Sequence, residues 1–524
     1  DSVDVTTQRP RLLDTLKLDA GWSHELLLHG DRLLVLSRGG FWAEPLPAIA
    51  AWIGPWAPSQ SVLTEIDVSH PGALRVLGTL TLGGAYVAAR LVGGTARIVA
   101  TSQVPSALPF EQPSGTGNDA LATARDRNRA VVASSGVASW LPSYQISRRG
   151  GAPSASRPLV QCRNVRRPAA FSGLGMLTVL TIDLAKGLAP VDSVALMSDA
   201  RIVYASPDSL YIATERWADR PDPAKPMLVQ SGVATAIHKF DISNPLHTQY
   251  RASGSVSGYL LSQWSLSEQR GVLRIVSTET PAWWGPGGES QSFLTTLREK
   301  DGALVQAGRI GDLGRGERVY AVRFVGDAGY VVTFKQIDPL YTLDLANPER
   351  PRVLGQLKIA GYSAYLHPIG QDLLLGIGQD ANEQGQPLGT QLSLFDVSDL
   401  GHPKRLQRAS LGPGWSEAES DHHAFLFWPR TGLVVVPFQQ RALGFRVSRG
   451  GGIDEVGRID DGDGQPLSSS GIRRSLVVGN SVLTVSNAGV KSSSLATLAA
   501  QGWAAFPAAP QPGPPIPTPL PPLP

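Results

Sequence analysis

Cysteine is almost absent: Cys162 is the only one in 524 residues. A lone thiol excludes an internal disulfide and any metal site built from clustered thiolates. It leaves export open, because a fold of this size with a sufficient core needs no covalent staple. Charge is also scarce, at 17% of residues with a formal net charge of +3. A nucleic-acid binder of this length would carry a stronger positive field. No uninterrupted apolar run reaches the length of a membrane span. Nucleotide loops are missing too, since no G-x-G-x-x-G or Walker A segment opens a helix after a strand. No serine sits in a G-x-S-x-G elbow, so hydrolase chemistry of that kind has no support.

Glycine and proline, by contrast, are plentiful at 56 and 41 residues, with 42% of the chain hydrophobic. That balance suits many short strands joined by tight turns. The chain opens at Asp1 rather than Met, which reads as a processed form whose targeting segment has been removed.

One pattern recurs: "SVLTEIDVSHPGALRVLGTLTL" (61–82), "LTVLTIDLAKGLAPVDSVALM" (177–197), "TAIHKFDISNPLHTQYRASGSV" (235–256), "YTLDLANPERPRVLGQLKI" (341–359) and "LSLFDVSDLGHPKRLQRASL" (392–411). Each has apolar residues in alternation, then Asp67, Asp183, Asp241, Asp344 or Asp396, then a turn and a second strand-like run. A degenerate copy, 292–310, fills the gap between Asp241 and Asp344. The aspartates are read as structural, each accepting a backbone N–H bond in the turn that follows. Between these units lie strand pairs with polar hairpins at 24–37, 319–334 and 473–487. A period of about 50 residues carrying four short strands is the mark of a β-propeller blade.

The fold expected is therefore all-β, a single β-propeller over 1–506 with eight four-stranded blades, or seven if one unit is not a blade. The last blade shows no clear fourth strand, and residues 11–18 are expected to supply it and so close the ring. Insertions fall between second and third strands at 38–60, 103–175, 215–232 and 280–290. The longest contains a predicted helix over 118–136, with an Asn/Asp start and a Gly end. The tail, 507–524, is Pro-rich and expected in polyproline II form, docked on this chain or a neighbour.

Long loops on one face of a rigid scaffold usually carry recognition. The insertions hold Trp42, Trp52, Trp56, Trp140, Trp217, Trp283 and Trp284. Their plainest role is to pack the insertions onto the propeller rim. Their functional role would be an aromatic surface for a protein or surface polymer. Gly21-Trp22-Ser23, Gly361-Tyr362-Ser363 and Gly414-Trp415-Ser416 repeat at fourth-to-first turns and are expected at the channel mouth.

Several blocks are more specific than the repeat: "QCRNV", "TAIHKFDIS", "GDAGYVVTFKQIDPLYTLDLANPERPRVLGQLKIAGYSAYLHPIG" and "GNSVLTVSNAGVKSSSLATL". They resemble a family of secreted bacterial and archaeal β-propeller-domain proteins, distantly similar to WD40 propellers. The resemblance implies a propeller and export (periplasm, cell surface or medium), and no activity. One departure is that the family tends to read Asp-His-Lys where this chain has Asp421-His422-His423.

The densest polar cluster is "SEAESDHHAF" (416–425), placed at the start of an inner strand. His24, His367, Asp421 and His422 form a candidate divalent-metal set at the channel mouth, with an open position for water. Successive residues of a strand point to opposite faces, so His422 and His423 are not both expected as ligands. A hydrogen-bonded network closing the mouth explains the same residues without metal. The sequence thus favours a non-catalytic binding protein with no cofactor over a metal-dependent hydrolase or lyase.

Overall fold

Alternation with period two builds strands, and glycines in the left-handed region turn them back. In the expected hairpins, Gly30, Gly326 and Gly479 sit at the turn with φ of 55°, 53° and 57°. Each separates antiparallel partners: His24–His29 from Arg32–Arg38, Arg318–Val325 from Ala328–Phe334, and Arg474–Val478 from Ser481–Val485. The computed structural model describes residues 1–18, 24–38, 60–103, 108–115, 117–170, 172, 175–217, 233–279, 289–334, 337–382, 384, 386–462 and 471–507. The chain divides into two compact units, Lys17–Leu406 and Asp1–Leu16 with Gln407–Pro524.

In the larger unit, antiparallel meanders follow one another along the chain. The first joins His24–His29, Arg32–Arg38, Gln60–Asp67 and Arg75–Gly83; the second joins Ala85–Val92, Thr95–Ser102, Met176–Asp183 and Asp192–Met197. The next two run from Ile202 to Ser257 and from Leu266 to Leu313, linked by a parallel bridge between Ser253 and Ala303. Arg318–Val325, Ala328–Phe334, Ile337–Asp344 and Arg352–Ala360 form a further four-stranded sheet. Tyr362–Ile369, Leu373–Ala381 and Pro387–Asp396 follow, and the unit boundary falls in the next strand, Lys404–Gly412. The smaller unit holds two four-stranded sheets, Leu426–Asp460 and Arg474–Ala505. Among the described residues the one α-helix is Asn118–Ser134. These antiparallel sheets are consistent with a β-propeller.

Second strands are buried on both faces, as in Leu433–Phe438, where every residue is buried. The reason is that successive sheets stack face to face. Leu34, Leu63 and Leu80 of the first sheet pack with Ile98 and Leu180 of the second. Val99 and Val179 of the second pack with Leu210 and Phe240 of the third. In the smaller unit, Leu433 and Val435 pack with Val482 and Leu498. Each fully buried Leu in such a layer stabilises by about 1.5–3 kcal/mol.

The five recurring aspartates behave as expected. Asp67, Asp183, Asp241, Asp344 and Asp396 each accept, through Oδ1, the N–H two residues on, at 2.9–3.1 Å.

Three expectations need correcting. Residues 11–18 do not complete the last sheet: Arg11–Asp14 pairs with Ser2–Asp4 in a separate two-stranded ribbon. The fourth strand of that sheet is Ala500–Ala505, paired antiparallel with Gly489–Ser494. "AQGWAA" lacks apolar alternation, but a ladder is made by the backbone and needs none. The ribbon's turn packs over Gly502, where an added Cβ would lie 2.8 Å from Pro10 Cδ. The 103–175 insertion is also more than a loop, since Ser143–Arg148 adds antiparallel to the fourth strand of the first sheet. Its helix starts from Gly117 with no side-chain cap, so the expected Asn/Asp cap is not used. Most of the insertions 38–60, 215–232 and 280–290, and the tail beyond Pro507, lie outside the described residues.

Candidate functional site

The cluster at 416–425 is not the start of a strand. It is two successive 3₁₀ turns, Glu417–Glu419 and His422–Ala424, with the inner strand beginning only at Leu426. Ser416 opens the first turn with a capping box: its hydroxyl accepts from Ala418 N–H at 3.2 Å, and Glu419 Oε1 accepts from Ser416 N–H at 2.8 Å. The Ser416 hydroxyl also donates to the Pro437 carbonyl, which anchors the turn to the second strand. Asp421 opens the second turn, its Oδ1 accepting from His423 N–H at 3.0 Å.

Because the backbone here is helical, His422 and His423 do not alternate. Their ring centroids are 3.9 Å apart, so the expectation that they point to opposite faces fails with its premise. His423 Nδ1 lies 2.9 Å from Asp421 Oδ1. Two arginines complete the cluster. Arg473 Nη2 and Arg474 Nη1 each donate to Glu417 Oε1 at 3.0 Å, and Arg474 Nη2 donates to Asp421 Oδ2. Burial alone would raise the carboxyls of Glu417 and Asp421. Bonds from Arg473 and Arg474 at Glu417, and from His423 with the charge of Arg474 at Asp421, hold both below the ordinary carboxylate range.

Beside this pinned turn stands Trp415, 62% exposed, following Gly414 at φ 139°. The sequence placed it in a turn motif, but not among the recognition tryptophans. The arginines were missed altogether, because they arrive from a strand more than 50 positions along the chain.

The fold and the repeat now meet a sequence match: residues 2–498 match the family described as "Beta propeller domain". The chain belongs to that family. An uncharacterised protein of Methanocaldococcus jannaschii is 42% identical over 195 residues, 37% of this chain and 30% of that protein. An uncharacterised protein of Archaeoglobus fulgidus is 42% identical over 216 residues, 41% of this chain and 32% of that protein. The matches thus span about a third of the length of these relatives. A solved periplasmic gluconolactonase of Pseudomonas aeruginosa aligns with 14% identity and a TM-score of 0.38, covering 62% of this chain and 90% of that one. That likeness carries no functional argument.

The metal set expected of this β-propeller is only partly assembled. Asp421, His422 and His423 offer ligand atoms within 4.8 Å of one another, so His423 joins Asp421 and His422 where it was not expected. His24 and His367 belong to the larger unit and join no such group among the described residues. His24 is exposed on the first strand. His367 is half-buried, its Nδ1 3.3 Å from the Tyr365 hydroxyl. Burial, with the Arg323 charge, pushes its imidazole down to about 4, so it is neutral at pH 7. The donor chemistry at Asp421 fits a cation poorly, because Arg474 already neutralises one carboxylate oxygen and His423 engages the other.

Of the tryptophans in the β-propeller's insertions, Trp140 is half-buried and used internally. Its Nε1 donates to Ser135 Oγ at 2.7 Å and its ring meets Phe110 edge-on at 6.2 Å. Trp217 ends the strand Ser209–Trp217, and its side chain is outside the described residues. Trp42, Trp52, Trp56, Trp283 and Trp284 also lie outside them.

Proposed function

We propose that this chain is an exported, non-catalytic β-propeller of eight four-stranded blades that binds a protein or a surface polymer. The eight-blade reading is supported by the succession of meanders, each turning on an aspartate-, hairpin- or glycine-bearing connection. The binding surface is assigned to the edge where second-to-third loops and fourth-to-first turns emerge, which share one end of any four-stranded meander.

One observation carries the binding role: Trp415 holds an exposed indole on a backbone fixed by the Ser416 capping box, in the segment that Arg473 and Arg474 tie down. An exposed aromatic side chain on a fixed backbone is a common binding hot spot, because little backbone entropy is lost on contact. Export is proposed on the family resemblance; no helix among the described residues is long and apolar enough to cross a membrane.

A metal-dependent hydrolase or lyase is the second reading, favoured by the proximity of Asp421, His422 and His423. Sedimentation with isolated cell-envelope polymer and envelope protein separates the two. The binding reading expects Trp415→Ala to weaken association about tenfold or more with unchanged melting. Unaltered association would overturn it. Stoichiometric metal in the purified protein, lost in His422→Ala, would favour the second reading.

A further inference from the structure

The first sheet lacks a device that the second, fourth and fifth sheets share. Thr181, Thr296 and Thr342 reach from a third strand to the turn of the following sheet. Thr181 Oγ1 lies 2.9 Å from Thr248 Oγ1, Thr296 Oγ1 donates to the Pro348 carbonyl at 2.6 Å, and Thr342 Oγ1 donates to the Leu400 carbonyl. Thr181 and Thr342 stand two residues before the turn aspartates Asp183 and Asp344. In the first sheet that place, two before Asp67, is taken by Glu65. Its side chain accepts no hydrogen bond among the described residues, although the residue is only 9% exposed. The nearest cationic group is Arg32, with Nη1 3.8 Å from Oε1. Where those sheets carry a hydroxyl that closes an interface, the first carries a buried carboxylate that accepts no hydrogen bond among the described residues.

The space left open is a cavity of about 290 Å³, lined among others by Arg32, Glu65, Gly78, Arg148, Lys186 and Leu188. Its floor follows from strand register. Glu65 pairs with Gly78, and Gly78 pairs with Arg148 on the strand supplied by the insertion. Residues directly opposite share a face of the sheet, so a carboxylate and a guanidinium stand on either side of a glycine. A Cβ on Gly78 would lie 2.8 Å from Ser147 O and 3.5 Å from Leu188 Cδ1, so the gap is kept by the absence of a side chain. Lys186 is paired with Asp183 at 3.3 Å, whereas Arg148 makes no side-chain hydrogen bond or ion pair among the described residues.

We propose that this cavity binds a small organic acid bearing hydroxyl or ammonium donors, its carboxylate held by Arg148 and Arg32 and its donors by Glu65. The cavity is at the small end for ligand sites, which suits a molecule the size of a sugar acid or an amino acid. Burial raises the Glu65 carboxyl, and donors brought by a ligand would relieve that cost. The proposal is independent of the binding role of Trp415, since none of these residues lies in 414–425.

Calorimetric titration tests it with four probes. D-galacturonate and L-glutamine carry both a carboxylate and donors; D-galactose lacks the carboxylate, and cyclohexanecarboxylate lacks the donors. Binding of galacturonate, glutamine or both is expected, with either control at least about tenfold weaker, since each removes a charge-assisted or donor contact. Galacturonate alone would mark the hydroxyl source, and glutamine alone the ammonium source. Glu65→Gln and Arg148→Met should each weaken the bound probe by about tenfold or more, with melting measured alongside. Arg148 is exposed, so that variant carries the test if Glu65→Gln does not fold. Glu65→Thr should restore the shared interface bond, raise the melting temperature and abolish binding. Failure of both carboxylate-and-donor probes to bind, equal binding of a control, or undiminished binding by the variants would overturn the assignment.

Discussion

Asp241 shows how much a single position can disclose. Its Oδ1 accepts from Ser243 N–H at 2.9 Å and from Ser243 Oγ at 2.6 Å, and these bonds depress its carboxyl. The partners are two residues away, so sequence alone is enough to find them. Asp241→Ala should lower stability by about 1 kcal/mol, and Asp241→Asn should recover part of that, because the amide oxygen still accepts. Denaturant midpoints measure both; an alanine variant as stable as the parent would show that the turn does not depend on its carboxylate. Residues 416–425 show the opposite case. Ser416-x-x-Glu419 is a capping-box signature, and it could have identified a helical turn where alternation suggested a strand. Arg473 and Arg474 left no such local trace. Their link to Glu417 and Asp421 exists only after two distant segments meet.

Among the elements, fourth strands were legible as the second run of each repeat, except in the last sheet, but the packing that constrains them was not. Gly355 pairs with Thr342, and a Cβ there would lie 2.5 Å from Leu400 O and 2.7 Å from Pro403 Cδ. Gly308 pairs with Thr296 and would meet the Pro348 carbonyl in the same way. The glycine lets the next turn approach, and the threonine opposite supplies a bond to it. Neither glycine shows an unusual φ, so sequence gives no sign that it is needed; the constraint belongs to the neighbouring sheet. Gly355→Val should therefore destabilise by about 1–3 kcal/mol through overpacking. Gly326→Asn is the control, since its left-handed φ of 53° suits Asn and nothing lies within 4 Å. Comparable melting of the two variants would remove the packing argument. The third strands that end in a turn aspartate, in contrast, were legible, because their apolar runs are dense and mostly buried. Ala500–Ala505 was missed because an outer strand of small residues carries no such run.

For the molecule as a whole, acid should be the solvent condition that separates its charged parts. Asp241, Asp344, Glu299, Glu417 and Asp421 have depressed carboxyls. Each contributes stability that is present above its unfolded value and lost as pH falls through its folded one, so their combined loss belongs below about pH 4. His367 acts earlier. Its imidazole is pushed from 6.5 to about 4, so between those values the unfolded chain binds a proton that the native chain does not. Stability must then fall as pH drops from about 6.5 to 4, by about 1–2 kcal/mol once solvent screening of a half-buried ring is allowed for. Arg323 faces the same ring and keeps the protonated form unfavourable, and Tyr365 Oη, 3.3 Å away, is satisfied by the neutral one. His367→Gln removes the titration while keeping a polar partner for Tyr365. Melting temperature followed from pH 7 to pH 2 should show two limbs in the parent and only the lower one in this variant. An upper limb of equal slope in both proteins would mean that another group is responsible. A parent flat down to pH 2 would contradict the carboxylate account as well.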